Sequence, residues 1–267
     1  MTTTAAGAPG RRLGRRMMTK VPEVTAFFWI LKLLTTAGGE SIADLLASDG
    51  LLGMKPALAL TSGLLLVAVL VQLAVHRYVV PIYWLAVVLV GIAGTLITDY
   101  IVRWLGVGEK AATAGFSLIL LAIFAVWYAT ERTLSIHSIN TTRRELFYWA
   151  AVMITFALGT AAGDLTAFAL HWGFPLSIAL YAVVFVAAGV AHLRFDANPI
   201  LCFWLAYVVT RPLGATTADY LAFERSLGAL GLGLWPVSLA FGAAITGLIG
   251  YLTVTRKDTP AEAAARG

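Results

Sequence analysis

Eight long apolar stretches alternate with short polar segments along the chain, at about residues 22–47, 56–76, 80–105, 112–131, 143–171, 175–193, 198–223 and 233–255. Each reaches or approaches the length of about 20 apolar residues that a helix needs to cross a bilayer's hydrocarbon core. The joining segments are short and glycine-bearing, as in Ser48-Asp49-Gly50 and Gly106-Val107-Gly108. Pro22, Pro56, Pro81, Pro175, Pro199 and Pro236 fall at or near the starts of six stretches. Proline is tolerated there because its missing N–H would have no helical partner anyway. The pattern predicts an all-α polytopic membrane protein. Eight transmembrane helices pack as antiparallel neighbours in one compact bundle.

Composition supports that reading. Of 267 residues, 60% are hydrophobic and only 12% charged, and the mean hydropathy is +0.84. Soluble domains carry about 25% charged residues, so disordered, coiled-coil and ordinary soluble-enzyme classes drop out. The net charge of +5 does not point to nucleic acid, because the basic residues flank the apolar stretches. Arg11, Arg12, Arg15, Arg16, Lys20, Arg77, Arg132, Arg143, Arg144, Arg194, Arg256, Lys257 and Arg266 fall on the side that carries both chain ends. Only Lys55, Arg103, Lys110 and Arg225 fall on the other. Thirteen against four puts both termini in the cytoplasm. Cys202 is the only cysteine, which excludes an intrachain disulfide or a cysteine metal cluster and leaves a small apolar filler. His76, His137, His171 and His192 lie near span ends and share no common spacing. They read as interfacial side chains. No nucleophile elbow, metalloprotease pair or phosphate-binding glycine loop is present, so no enzymatic activity is expected.

A fourfold repeat organises the chain. Trp29, Trp84, Trp149 and Trp204 are each preceded by an aromatic residue: Phe28, Tyr83, Tyr148 and Phe203. Ten residues on stand Gly39, Gly94, Gly159 and Gly214; fifteen residues on stand Asp44, Asp99, Asp164 and Asp219. The offsets are 55, 65 and 55 residues. The expected organisation is a basic cytoplasmic tail at 1–20, a transmembrane domain at 21–257 and a C-terminal tail at 258–267. The repeats run at about 21–76, 77–132, 141–195 and 196–256. Two helices per repeat make all four copies insert the same way up, as parallel repeats about an axis along the membrane normal. The four motif helices gather at that axis and the four more apolar helices pack outside. The tryptophans read as anchors at headgroup depth. The glycines read as points of close helix approach, with a kink or ligand-lining role as the lesser alternative.

The chain resembles a bacterial family of multi-pass membrane proteins built from four copies of a repeat of unknown function, each with two spans and a tryptophan. The resemblance covers about residues 20–255. It is most specific at Lys20-Val21-Pro22-Glu23-Val24-Thr25 through Phe28-Trp29, then at Lys32, Thr35, Gly39-Glu40 and Asp44. It implies an integral inner-membrane protein and brings no settled activity. Lys32 and Glu40 have no counterparts in the other three repeats, so their roles belong to the first repeat alone.

Positions 3, 7, 11 and 15 after each tryptophan share one helix face by i, i+4 spacing. They read Lys32, Thr36, Glu40, Asp44; Val87, Gly91, Thr95, Asp99; Val152, Phe156, Thr160, Asp164; and Tyr207, Arg211, Ala215, Asp219. Five carboxylates and two cations on such a stripe are costly in a bilayer and face a bundle interior or a wet cavity. Lys32 and Arg211 are expected to take two of the acids as partners. Three nearby carboxylates without a protein cation need a proton or a metal cation between them. The sharper expectation is therefore a cation pathway, with Asp44, Asp99, Asp164 and Asp219 as a ring that can hold a metal. Glu40 and the hydroxyls of Thr36, Thr95 and Thr160 stand behind them. Hard oxygen ligands suit magnesium, calcium, manganese or a proton relay. The plainer alternative is that each aspartate satisfies backbone groups or a neighbour, as Asp99 can with Arg103 one turn on, and simply holds the bundle together. Function then divides into a proton-coupled secondary transporter of a small solute, most plausibly a metal cation, a cation channel, or a non-transporting scaffold or sensor. The partners expected are membrane lipid and a small ion, with no resident cofactor beyond a bound metal cation.

Overall fold

The computed structural model describes residues 19–48 and 50–259. Arg11, Arg12, Arg15, Arg16 and Arg266 of the charge count lie outside the described residues. Eight long helices are present: α1 Ala26–Ala47, α2 Met54–Ala74, α3 Val80–Asp99, α4 Glu109–Glu131, α5 Thr142–Asp164, α6 Gly173–Phe195, α7 Pro199–Ala222 and α8 Leu234–Thr255. Among the described residues there is no strand. Seven of the helices are long and apolar enough to cross a membrane. The eighth, α1, has the length, but Lys32, Glu40 and Asp44 interrupt its apolar run.

Local sequence sets the helix ends. The Thr25 hydroxyl accepts from the Phe28 N–H, Thr141 from the Arg144 N–H, and Asn198 from the Ile200 and Leu201 N–H groups. Each satisfies N-terminal donors that the helix itself cannot. α2 and α4 begin after Gly53 and Gly108, whose φ values of 77° and 76° are ones that side-chain-bearing residues avoid. α3 and α5 do not stop at their aspartates. Both continue as a π-helical turn, Tyr100–Trp104 and Leu165–Ala169.

The four odd helices form a closed ring in which α1 packs on α3, α3 on α5, α5 on α7 and α7 on α1. They run parallel, with the aromatic–tryptophan pairs at one end and the aspartates at the other. The even helices stand outside. Each packs chiefly on the odd helix of the following repeat: α2 on α3, α4 on α5, α6 on α7, and α8 back on α1. The odd helices α3, α5 and α7 are more than half buried, whereas α2, α4, α6 and α8 are about a quarter buried. Leu66, Leu118, Val183 and Leu239 are among the large apolar side chains the outer helices leave exposed.

The repeat motif is the adhesive of this ring. The aromatic residue of one repeat meets the tryptophan of the next. Phe28 lies 5.8 Å from Trp84, Tyr83 5.7 Å from Trp149, Tyr148 6.3 Å from Trp204, and Phe203 5.7 Å from Trp29, ring centre to ring centre. The motif glycines follow the same rule. A Cβ on Gly39 would meet the Gly91 backbone of α3 at 3.1 Å, one on Gly94 would meet Phe156 of α5 at 2.9 Å, and one on Gly159 would strike Arg211 and Pro212 of α7. One on Gly214 would strike Thr36 and Ala37 of α1. Close approach is thus the glycines' role.

The expectation for the tryptophans needs correction. Trp84, Trp149 and Trp204 are buried and Trp29 is half-buried. They are not anchors facing outward. Each indole is covered by its neighbour repeat, and burying so large an apolar ring inside gains more contact than leaving it at a surface.

Candidate functional site

The stripe residues stack along the ring axis in layers. At the end that carries the repeat tryptophans is a buried aromatic and tyrosine layer. The Tyr83 and Tyr148 hydroxyls hydrogen-bond each other, and Tyr207 is fully buried beside them. One turn further in lies Lys32, 1% exposed. Its ammonium sits 3.8 Å from the Phe156 ring centre and 4.1 Å from that of Tyr207. Among the described residues it has no hydrogen-bond partner. The expected Lys32–carboxylate pair does not form. Ring faces take its place, because Phe156 and Tyr207 occupy the stripe positions of α5 and α7 beside it, and an aromatic face attracts a desolvated cation.

The next layer is polar and closed. Arg211, with 0% exposure, donates from Nη1 to the Thr36 carbonyl at 2.7 Å and from Nη2 to Glu40 Oε2 at 2.5 Å. Nη2 also reaches the Thr160 hydroxyl at 2.9 Å and the Thr95 hydroxyl. Thr95 and Thr160 in turn donate to Glu40 Oε2 at 2.8 and 3.3 Å. All four motif helices therefore meet on one guanidinium and one carboxylate. Thr36 enters through its backbone, since its hydroxyl donates to the Leu33 carbonyl in its own helix. The expected hydroxyl lining at Thr36 is replaced by that local bond.

The aspartates form the last layer. Carboxylate oxygens of Glu40, Asp44 and Asp219 lie within 4.8 Å of one another. Asp99 and Asp164 are held differently. The Arg103 guanidinium, 53% exposed, stands 3.6 Å from Asp99 and 3.9 Å from Asp164. Above these groups opens a pocket of about 330 Å³ lined by Asp44, Ser48, Met54, Asp99, Arg103 and Trp104 with Ala47 and Phe223. The aspartates thus converge. The ring expected from the sequence is divided, with Asp44 and Asp219 joined to Glu40, and Asp99 and Asp164 bridged by Arg103. Three hard oxygen donors this close are a chemically apt nest for a divalent cation.

The chain-end face carries polar groups that spacing alone did not single out. Lys20 Nζ pairs with Glu145 Oε2 at 2.5 Å and donates to the Leu73 carbonyl at 3.0 Å. The amide of Gln72 donates to Glu145 Oε1 at 3.3 Å. Tyr78 donates to Asp258 Oδ2 at 2.5 Å and accepts from the Trp84 indole at 3.1 Å. The Glu23 N–H donates to the Asp258 carbonyl. Lys20 and Asp258, which the sequence assigns to the tails, are buried, and the described residues about them pack on this face of the ring. Burial pushes the Asp258 carboxyl above the usual carboxylate range, against the lowering effect of the Tyr78 hydroxyl. Burial, with Asp258 beside it, also pushes the Tyr78 hydroxyl up. One signal was available in the sequence: Gln72 is the chain's single glutamine, set within an apolar stretch.

A ring of four parallel two-helix repeats, closed on itself around a polar axis, defines the class of protein. The chain belongs to the family built from the repeat of unknown function DUF347, whose family model matches residues 27–78, 82–133, 147–198 and 202–258. Neither a curated protein nor a solved structure matches the chain.

Proposed function

We propose that the chain is an integral membrane protein of eight spans that carries a small cation, with a divalent metal as the favoured cargo, through its axis in exchange with protons. The observation that carries this reading is the gathering of Glu40, Asp44 and Asp219 within 4.8 Å, beside a pocket lined by Asp44 and Asp99. A carboxylate cluster at that depth attracts a cation or a proton, and exchanging one for the other is the minimal act of a coupled carrier. Exposed leucine and valine faces on every outer helix support the membrane setting, because surfaces of that kind are rare on soluble monomers. The excess of basic residues on the chain-end side supports cytoplasmic termini in a bacterial inner membrane. The aspartate pocket would then open to the outer side.

A carrier is favoured over a channel by the closed layers. A carrier must be shut on one side at any moment, and here the Arg211 cluster and the aromatic seam shut the chain-end half. Transport then requires one pair of repeats to rock against the other. The close packing of the chain-end half of the axis also favours, as a second reading, a scaffold that moves nothing.

The test is flux in proteoliposomes loaded with a metal-sensitive dye. Manganese or calcium entry should appear with the wild-type protein, depend on an imposed pH gradient, and fall to background in Asp44→Asn/Asp219→Asn. Absence of flux for every cation with folded protein would favour the scaffold. Undiminished flux in the double variant would remove the acid cluster from the mechanism.

A further inference from the structure

The middle offset of the repeat, 65 residues where the others are 55, builds something. The added length falls between α4 and α5. It crosses the chain-end face with a short 3₁₀ turn at Ile136–Ser138. Ile136 and Ile139 are buried in the core, the Leu134 carbonyl accepts from the Trp204 indole at 2.9 Å, and Arg144 donates to the Ser138 carbonyl at 2.9 Å. Pinned in this way, the linker walls off a cavity of about 630 Å³ between itself, α1, α6 and α7. That volume is in the range of small-molecule sites, which are mostly apolar with a few convergent polar groups.

The lining is divided by chemistry. Trp29, Phe185 and Phe203 supply aromatic walls, with Trp29 in contact with both rings at 5.4 and 5.7 Å between centres. Glu23, Ser135, His137 and His192 supply the polar groups, and His137 Nε2 lies 3.9 Å from Glu23. Among the described lining residues there is no lysine or arginine, and Glu23 is the single carboxylate. Val186 and Leu193, also lining, are exposed on the outer face of α6, so the cavity is open towards the apolar surroundings of the bundle. Aromatic faces beside one carboxylate are the chemistry that holds an organic ammonium.

We propose that this cavity is a binding site for a lipophilic organic cation, an amine or quaternary ammonium with an apolar body. Glu23 is its counter-ion and Trp29, Phe185 and Phe203 are its cage. The site is separate from the axial carboxylates and is built by the one linker that breaks the fourfold pattern.

Two probes of one shape and opposite charge test it: tetraphenylphosphonium and tetraphenylborate, titrated against the full chain in nanodiscs with binding to empty nanodiscs subtracted. The phosphonium should bind and the borate should not. Glu23→Gln should weaken the phosphonium by about tenfold, in keeping with loss of one partly desolvated charge contact. Among the described residues the Glu23 carboxylate forms one ion pair, with His137, and the backbone bonds of residue 23 do not involve it, so the fold should survive. Gly189→Leu is the second variant. A Cβ there meets no atom within 4 Å, and the side chain takes up part of the cavity that Gly189 lines, so phosphonium binding should weaken while thermal stability stays. Asp44→Asn/Asp219→Asn should bind the phosphonium as wild type does. Equal binding of both probes, unchanged affinity in either cavity variant, or loss in the axial variant would each overturn the assignment.

Discussion

Arg211 and Glu40 meet on the ring axis with 2.5 Å between Nη2 and Oε2, one from the last repeat and the other from the first. Both are almost wholly buried, and their contact closes the ring at the seam between α7 and α1. Removing one partner of such a pair strands the other charge, at a cost of about 3–5 kcal/mol. Glu40→Ala should therefore lower the apparent melting temperature sharply in detergent or nanodiscs. Glu40→Gln/Arg211→Gln should recover part of the loss, because no full charge is then stranded. Equal melting of the single and double variants would show that the pair is not the axial lock.

Arg103 acts as a tethered cation over Asp99 and Asp164. At 53% exposed it adds little to stability, since exposed pairs contribute about 0–1 kcal/mol. It does compete with any free cation at the pocket. Arg103→Gln should leave melting nearly unchanged and strengthen binding of manganese or calcium, measured by calorimetry. Weaker metal binding in this variant would instead make Arg103 part of the site.

Glycines on the ring seams should separate from glycines on outer helices. Gly214→Ala drives a methyl group into Thr36 and Ala37, and Gly94→Ala drives one to 2.9 Å from Phe156. Overpacking of that kind costs about 1–3 kcal/mol. Gly63→Ala and Gly115→Ala meet nothing within 4 Å and should be neutral or mildly stabilising. Thermal melting of the four variants checks the contrast, and a reversal would mean the seams yield more readily than their geometry implies.

The chain-end cap should tighten in acid. The folded Asp258 carboxyl is raised by burial, so the closed cap holds a proton that the opened one releases. Its stability is complete below the ordinary carboxylate range and is lost as pH rises through the raised folded value. Hydrogen exchange of peptides spanning 19–25 and 256–259 should quicken over that interval. Asp258→Asn, which cannot ionise, should abolish the dependence while keeping an acceptor for Tyr78. A pH-independent cap in the wild type would place its control elsewhere.

The helices and their pairing into repeats were open to view in the chain, because apolar length and the fourfold recurrence of tryptophan, glycine and aspartate are both one-dimensional signals. The convergence of the aspartates followed from putting equivalent positions on one face. Partner choice did not follow. Lys32 looked like half of an ion pair, yet the side chains level with it on α5 and α7 are Phe156 and Tyr207. The tryptophans looked like surface anchors because spacing cannot say that each indole is capped by the aromatic residue of the adjoining copy. Lys20, Glu145 and Asp258 act between segments more than a hundred residues apart, where no periodicity reports. The linker behind the organic-cation cavity showed only as ten residues too many.

Because α8 lies on α1 as α2 lies on α3, the order in which the chain visits its quarters is incidental to the shape. A chain opened before the second repeat, with the fourth repeat joined to the first, would keep the same helix neighbours. The protein's three axial departures, Lys32 and Glu40 in the first quarter and Arg211 in the last, are what covalent fusion permits and exact fourfold symmetry forbids.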